Sequence, residues 1–188
     1  MPTCSTLDDA ALALAMSESE HFDELVREHG PAVLRLALGA LRDPDAAETV
    51  TQDCLWKAWR ARGSFRGECS ERNWLMGIAV NLIRDHLRSR RLMFWKRHAV
   101  VPIKEIAGTL FADRRSPETI AIAREMFAEV WSAVQTLPPR RRTIFLLRFV
   151  EEMPIAEIAQ VTRTKEGTVK SQLFSAVRTI REKTGHAR

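Results

Sequence analysis

The stretch from Met153 to Lys183 has the pattern of two short helices joined by a polar turn. Pro154 suits the first turn of a helix, where no backbone donor is needed, and apolar residues follow it at helical spacing as far as Val161. The segment Thr162–Thr164 supplies a turn and a hydroxyl N-cap, after which apolar residues recur at helical spacing from Val169 to Ile180. The pattern predicts a helix-turn-helix whose second helix has one buried side.

The outward side of that second helix carries hydroxyl, cationic and aromatic side chains, with Phe174 among them. Hydroxyls and cations reach phosphates and base edges, and an apolar ring can cover a thymine methyl or a sugar in the major groove of DNA. Alternatively, Phe174 is a surface residue with no special role or packs against a neighbouring helix. We predict DNA contacts from Arg163, Lys165, Thr168, Lys170, Ser171, Phe174, Ser175 and Arg178.

Composition limits the classes of protein to which this chain can belong. Its 188 residues suffice for one or two small domains, no apolar run approaches the roughly 18 residues of a membrane span, and no secretory signal is visible. Cys4, Cys54 and Cys69 fit neither a disulfide framework nor a paired metal site, so a reducing cytosol is the expected compartment. The histidines show no paired ligand spacing, and we expect neither a metal nor a cofactor.

Charge is unevenly distributed along the chain, whose formal net charge is +5. Residues 1–30 carry one basic and seven acidic side chains, 61–100 carry nine basic and three acidic, and 131–188 carry eleven basic and five acidic. Two basic zones separated by a nearly neutral middle suggest two places where one polyanion is held. The alternative is that helices simply carry solvated cationic faces, but two such zones beside motif-like helices favour nucleic acid.

Apolar residues keep a helical period over most of the chain, which predicts an all-α fold of two small domains joined by a linker. We expect a flexible tail at 1–18, a first domain at 19–92, a linker at 93–116 and a second domain at 117–188 that contains the helix-turn-helix. In the first domain, Gly30–Pro31 suggests a kink or break. A second helix is predicted from Asp43–Pro44 to about Arg62, and a third with Ser70 as its N-cap.

Three polar surfaces of the first domain are candidates for binding. The second helix carries Glu48, Gln52 and Asp53 on one side, which in isolation reads as a solvated face. The loop at 62–70 contains Phe65 and two arginines, and such a loop can hold an unstacked base against an aromatic wall, although Phe65 could also plug the core. The third helix has an outer face whose amides suit base edges and whose guanidinium groups suit phosphates. The residues that we predict to contact DNA from this domain are Phe65, Arg66, Asn73, Asn81, Arg84 and Arg88.

Two sets of motifs resemble a single protein family. The first set resembles region 2 of bacterial extracytoplasmic-function (ECF) sigma factors and consists of Asp43-Pro44, Glu48, Gln52-Asp53, Ala58-Trp59, Phe65-Arg66-Gly67 and the run from Trp74-Leu75 to Leu87-Arg88. The second set resembles region 4 of the same group and consists of Leu137-Pro138-Pro139-Arg140, Phe145-Leu146-Leu147, Ile158-Ala159 and the run from Gly167 to Ser171. Both sets in this order and at this separation are far more specific than a single helix-turn-helix, and they cover nearly the whole chain.

The resemblance implies a transcription initiation factor that is not an enzyme, binds core RNA polymerase and promoter DNA, and acts in the bacterial cytoplasm. It assigns Glu48, Gln52 and Asp53 to docking on the clamp helices of the largest polymerase subunit. It assigns the Phe65 loop, with Asn81, to the promoter element about 10 base pairs before the start site, where a base is unstacked. The second helix of the helix-turn-helix is assigned to the major groove about 35 base pairs before the start site.

Two alternatives from other classes stay open at this point. A helix-turn-helix repressor or activator would bind duplex DNA without polymerase, and a metal-dependent helical hydrolase is disfavoured by the missing ligand spacing. The resemblance further implies an anti-sigma factor, commonly membrane-anchored, that lies between the two modules and restrains them. Control by abundance alone, or by oxidation of Cys54 or Cys69, is the competing hypothesis, although neither cysteine has an evident resolving partner.

Overall fold

The described part of the chain consists of helices and their connecting turns. A computed structural model describes the backbone of residues 4–92 and 127–185, and the side chains of 19–89 and 127–185. Over these residues the fold contains seven α-helices and no strand, which confirms the predicted all-α class. The predicted linker at 93–116 lies outside the described residues, and so does the beginning of the predicted second domain, 117–126.

The first helix, α1 (Cys4–Leu41), is longer than the sequence pattern predicts. The backbone of the predicted flexible tail at 1–18 is helical from Cys4 onward. Alanine and leucine are abundant in this stretch, and both are strong helix formers even where their spacing gives no clear amphipathic face.

The predicted break at Gly30–Pro31 is also wrong, since α1 continues through both residues. A proline inside a helix costs about 3 kcal/mol, because it removes a backbone hydrogen bond and crowds the preceding turn. Leu25 before the proline and Leu36 after it are both buried in the same core. That burial offsets the local cost.

The helices α2 (Pro44–Ala61) and α3 (Glu71–Leu92) complete the N-terminal half, where they pack against α1. Asp43 caps α2 as predicted, with its Oδ1 accepting from the backbone of Ala46 at 3.1 Å. Ser70 caps α3 as predicted, because its Oγ accepts from the backbone of Asn73 at 3.2 Å. A short 3₁₀ turn, Arg62–Ser64, follows α2 and leads into the loop that precedes α3.

Four helices form the C-terminal half: α4 at 127–135, α5 (Pro139–Phe149), α6 (Ile155–Val161) and α7 (Glu166–Lys183). Helices α6 and α7 are the predicted helix-turn-helix, and α5 packs against α7. The apolar side predicted for α7 is buried, as shown by Val169, Leu173, Ala176 and Ile180.

The turn between α6 and α7 differs from the prediction in its capping residue. Lys165, not Thr164, is the N-cap of α7, and it makes no side-chain capping bond. Thr164 instead pairs with Thr162 through their hydroxyls at 2.9 Å, and its backbone NH donates to Ala159. Arg163 adopts a left-handed backbone with φ of 52°, which reverses the chain within the turn.

The two halves pack directly against each other. Helix α5 lies against α1, and α6 lies against α3. Gly39 of α1 faces Leu146 of α5 and Trp131 of α4 at the centre of this junction, and both partners are buried. A single apolar core therefore runs through both halves of the described structure.

Candidate nucleic-acid interface

The outward face of α7 is exposed and polar apart from one aromatic ring. The side chain of Phe174 is 71% exposed, so the alternative that it packs on a neighbouring helix does not apply in this structure. Ser171 and Lys170 are exposed beside it, and Thr168 and Ser175 are half-buried on its flanks. This arrangement matches the face predicted from helical spacing.

Two cations of α7 are held by carboxylates of the same helix. Lys170 Nζ lies 3.7 Å from Glu166, and Arg178 Nε lies 3.6 Å from Glu182, each pair separated by one helical turn. Such exposed pairs are weak, so both cations can turn toward a phosphate at little cost. Arg163 and Lys165 are exposed in the turn that precedes the helix.

Gln172 anchors α7 to the helix behind it. Its Oε1 accepts a hydrogen bond from Arg141 Nε of α5 at 3.3 Å, and its side chain is half-buried. Gln172 occupies a position where the resembled family often has arginine. The hydrogen bond gives Gln172 a structural role between α5 and α7.

The loop between α2 and α3 encloses a cavity of about 400 Å³ lined by Ser64, Phe65, Arg66, Glu68, Cys69 and Trp74. The rings of Phe65 and Trp74 lie 5.1 Å apart at an angle of 40° and form the aromatic wall of this cavity. Gly67 has φ of 70°, a left-handed conformation that glycine adopts without strain and that turns the loop back toward α3. Phe65 is thus half-buried against Trp74 and also faces the cavity. Both roles considered for it from the sequence, a core contact and an aromatic wall, are compatible with this position.

The base of this loop is fixed by an arginine and a tryptophan. The guanidinium of Arg62 lies 3.6 Å from the centre of the Trp59 ring, and its Nη1 donates to the backbone carbonyl of Trp59 at 2.8 Å. The backbone NH of Phe65 donates to the carbonyl of Arg62 at 3.1 Å. These contacts fasten the start of the loop to the end of α2.

The outer face predicted for α3 is correct for three of its four residues. Arg84 and Arg88 are exposed, and Asn81 is half-buried at the edge of a second cavity of about 380 Å³ shared with Lys57 and Asp85. The prediction of an outward position is wrong for Asn73, which is only 6% exposed. Asn73 is thus buried in the first turn of α3, whereas the residues on either side of it are half-buried.

The strip Glu48, Gln52 and Asp53 is exposed along α2, as predicted. The structure adds Trp56 to this strip, with a side chain 56% exposed and Arg60 stacked on its ring at 4.8 Å. Trp56 follows Asp53 by three residues and Gln52 by four, so helical spacing places all three on the same face of α2. A large exposed aromatic beside polar groups is the composition typical of a protein interface.

The cysteines differ in their exposure. Cys54 is fully buried and its Sγ donates to the carbonyl of Leu75 at 3.6 Å. Burial raises the pKa of Cys54 to about 12, so its thiol is protonated at neutral pH. Cys69 is half-exposed in the wall of the loop cavity.

Among the described residues no group of side chains could hold a metal ion, and no helix there is long and apolar enough to cross a membrane.

Both halves of the chain match known family profiles. Residues 25–92 match the profile described as Sigma-70 region 2, and residues 127–180 match the one described as Sigma-70, region 4. Together the two profiles cover more than half of the chain, and they match in the order that the motifs predict.

Individual relatives agree with these profiles. The RNA polymerase sigma-H factor of Pseudomonas aeruginosa is 32% identical over 157 residues, which is 82% of this chain and 81% of the relative. The ECF RNA polymerase sigma factor SigM of Mycobacterium tuberculosis is 32% identical over 155 residues, which is 82% of this chain and 72% of the relative. In fold, the chain is similar to the sigma factor RpoE from Bartonella quintana, crystallised with the anti-sigma factor NepR. That match has a TM-score of 0.69 at 20% identity and covers 90% of this chain and 99% of the other.

Proposed function

Because this chain belongs to the sigma-70 family as an extracytoplasmic-function sigma factor, a transcription initiation factor, we propose that the surfaces described above divide promoter recognition and polymerase docking between its two modules. We call residues 19–92 the N-terminal module and residues 117–188 the C-terminal module. The proposed place of action is the bacterial cytoplasm, where polymerase and promoter DNA meet.

The loop cavity is proposed to capture one unstacked base of the downstream promoter element. Phe65 and Trp74 offer an aromatic surface, and base stacking on an aromatic side chain is worth about 1–3 kcal/mol. Arg66, exposed on the loop, would meet the backbone beside that base, with Arg84 and Arg88 along the same strand. Because the captured base is no longer available for pairing, this contact favours the open duplex.

The exposed face of α7 is proposed to enter the major groove of the upstream element. Ser171 and Phe174 lie at the centre of that face and would contact base edges, while Lys170 and Arg178 flank it and would contact phosphates. Arg163 and Lys165 in the preceding turn would contact the backbone where α7 begins.

The strip Glu48, Gln52 and Asp53, extended by Trp56, is proposed to bind core polymerase. The side chain of Trp56 is the largest exposed apolar group on α2, and exposed aromatic residues of this kind commonly dominate binding energy at interfaces. This part of the proposal separates a sigma factor from a repressor, because a repressor needs no polymerase-binding strip.

The single observation that carries the proposal is the presence of the aromatic loop cavity and the exposed recognition face in one chain. The deciding experiment mixes the purified chain with core polymerase and a promoter fragment. Co-elution with polymerase and transcription from the fragment are expected. A polymerase-independent repressor would bind the DNA, fail to co-elute, and support no transcription.

The proposal includes an anti-sigma factor as an inhibitory partner. Support comes from the RpoE sigma factor of similar fold, which was crystallised with the anti-sigma factor NepR. Such a partner would cover the polymerase strip or the DNA faces of the free factor. Co-expression with a candidate inhibitor encoded beside this gene should give a stable complex and lower promoter activity. Equal activity with and without every neighbouring candidate would contradict this part of the proposal.

A further inference from the structure

Glu151, in the turn after α5, is a buried carboxylate at the junction of the two modules, with a side chain fully shielded from solvent. Arg35 of α1 donates to it twice, from Nε to Oε1 at 3.1 Å and from Nη2 to Oε2 at 2.9 Å. Arg72 of α3 lies 3.6 Å from Oε2 and also donates to the backbone carbonyl of Glu151. These three residues, here the Glu151 cluster, draw both cations from one module and the carboxylate from the other.

Two more contacts join the modules. Arg42, just after α1, donates from Nη1 to the carbonyl of Gln135 at 3.2 Å, at the C-terminal end of α4, where the helix dipole favours a cation. Gly39 allows α1 to approach Leu146 and Trp131 closely. A Cβ at position 39 would lie only 2.8 Å from Leu146 Cδ1 and 3.2 Å from Trp131. A side chain at this position would therefore force Leu146 or Trp131 to shift within the packed junction.

One feature of the junction opposes closure. Arg142 is buried and donates to the same Gln135 carbonyl at 3.0 Å, beside Arg42. Burial and the neighbouring Arg42 lower the pKa of Arg142 to about 10, yet the group is still a cation at neutral pH. Two like charges thus converge on one carbonyl, so the junction holds together chiefly through the Glu151 cluster and the packing around Gly39.

The closed arrangement cannot serve both promoter elements at once. Those elements are about 25 base pairs apart, which corresponds to roughly 85 Å of B-form DNA. A compact chain of this length has a radius of gyration of only about 16 Å. The modules must therefore separate before the aromatic loop cavity and α7 can occupy their elements on the same promoter.

We propose that the Glu151 cluster is an intramolecular latch that closes the C-terminal module onto α1 and α3 and keeps the free factor from engaging both promoter elements. The inference rests on the proposed function, because the closed form is inhibitory only if both elements must be bound together. The α2 strip is exposed in the closed form, so closure limits promoter engagement and not docking. Only the open form can occupy both elements, and the apparent affinity for a promoter that carries both is reduced in proportion to the closed fraction.

Small-angle X-ray scattering of the free full-length chain tests closure without polymerase or DNA. Glu151→Lys should increase the radius of gyration by several ångströms, because a lysine at that position repels Arg35 and Arg72. The matched control is Glu152→Lys, which makes the same charge change at the adjacent, exposed residue and should leave the wild-type radius unchanged. The charge swap Arg35→Glu with Glu151→Lys should restore part of the compactness.

Gly39→Leu tests the junction from the other module with no change of charge. It should open the chain as Glu151→Lys does, while circular dichroism reports unchanged helix content. This second variant keeps the test decisive if Glu151→Lys folds poorly. Wild-type radii for both variants would overturn the latch.

Promoter titrations in the presence of core polymerase then test whether closure inhibits. Glu151→Lys and Gly39→Leu should bind a promoter that carries both elements about threefold or more tightly than wild type and transcribe more at limiting factor, whereas Glu152→Lys should match wild type. Opening in scattering without any gain in affinity would overturn the inhibitory role. Failure of every form, wild type included, to bind polymerase would contradict the proposed function, while the scattering result would still decide whether the latch exists.

Discussion

The ring of Phe65 in the loop after α2 lies 5.1 Å from the ring of Trp74 in α3, and the two rings form one wall of a cavity of about 400 Å³. Trp74 begins the apolar face of α3, so the aromatic wall is anchored to a rigid helix while Phe65 is carried by the loop. A base that enters the cavity therefore meets a surface that is already formed, which limits the ordering cost of capture.

Phe65→Ala should reduce promoter opening by roughly 10-fold, because it removes a stacking surface worth about 1–3 kcal/mol. Opening can be followed by the fluorescence of a base analogue placed in the downstream element. A promoter that carries an abasic nucleotide at the captured position is the control, since the wild type and the variant should then behave alike. A persisting difference on the abasic promoter would assign Phe65 to structure and not to capture.

Trp56→Ala and Asp53→Lys should each weaken binding to core polymerase by roughly 10-fold or more, because they alter an exposed aromatic and an exposed charge on one face of α2. Both side chains face solvent, so the unfolding temperature should stay within a few degrees of the wild type. Asp23→Lys, an equal charge reversal on an exposed residue of α1, serves as the control. Unchanged polymerase affinity in Asp53→Lys would show that this strip is a solvated surface and not a docking site.

Arg178→Ala should weaken binding to all DNA sequences alike and lower the salt slope by about 1, as expected for one phosphate contact. Glu182→Gln should have the opposite, smaller effect, because it releases Arg178 from the pair at 3.6 Å. The measurement is affinity for upstream-element duplexes over a series of salt concentrations. A change of base preference in Arg178→Ala would contradict its assignment to the backbone.

Phe174→Ala and Ser171→Ala should instead change discrimination among upstream-element sequences, since their side chains lie at the centre of the exposed face of α7. Loss of one good base contact corresponds to about 1–3 kcal/mol of discrimination. The discrimination is measured by comparing affinities for single-base variants of the upstream element. An equal loss of affinity for every single-base variant would assign these two residues to backbone contact, as for Arg178.

Cys69 should react with iodoacetamide at pH 8 while Cys54 stays unmodified in the folded chain. The pKa of Cys54 is raised to about 12 by burial, so its thiolate fraction at pH 8 is roughly a thousandfold below that of a thiol with the ordinary value. Site-resolved mass spectrometry distinguishes the two, and urea should make both react. Labelling of Cys54 without denaturant would show that the α2–α3 packing opens readily.

Much of the candidate interface could be predicted because helical spacing fixes which side chains share a face. Val169 and Leu173 on one side of α7 place Ser171 and Phe174 on the other, whatever surrounds the helix. Spacing failed at Asn73, which was expected on the outer face of α3 but is buried by tertiary packing. It failed at Gly30–Pro31 for a similar reason, since distant packing kept α1 continuous through a local breaker.

The sequence by itself determined the all-α class, the helix-turn-helix with its buried stripe, and the family, because these depend on local periodicity and on motifs read in order. Only the tertiary structure decided that Glu151 meets Arg35 across 116 positions of sequence and that Gly39 admits α5 against α1. A carboxylate and a guanidinium so far apart in sequence give no periodic signal. Their pairing depends on how the two modules pack, which no local pattern encodes.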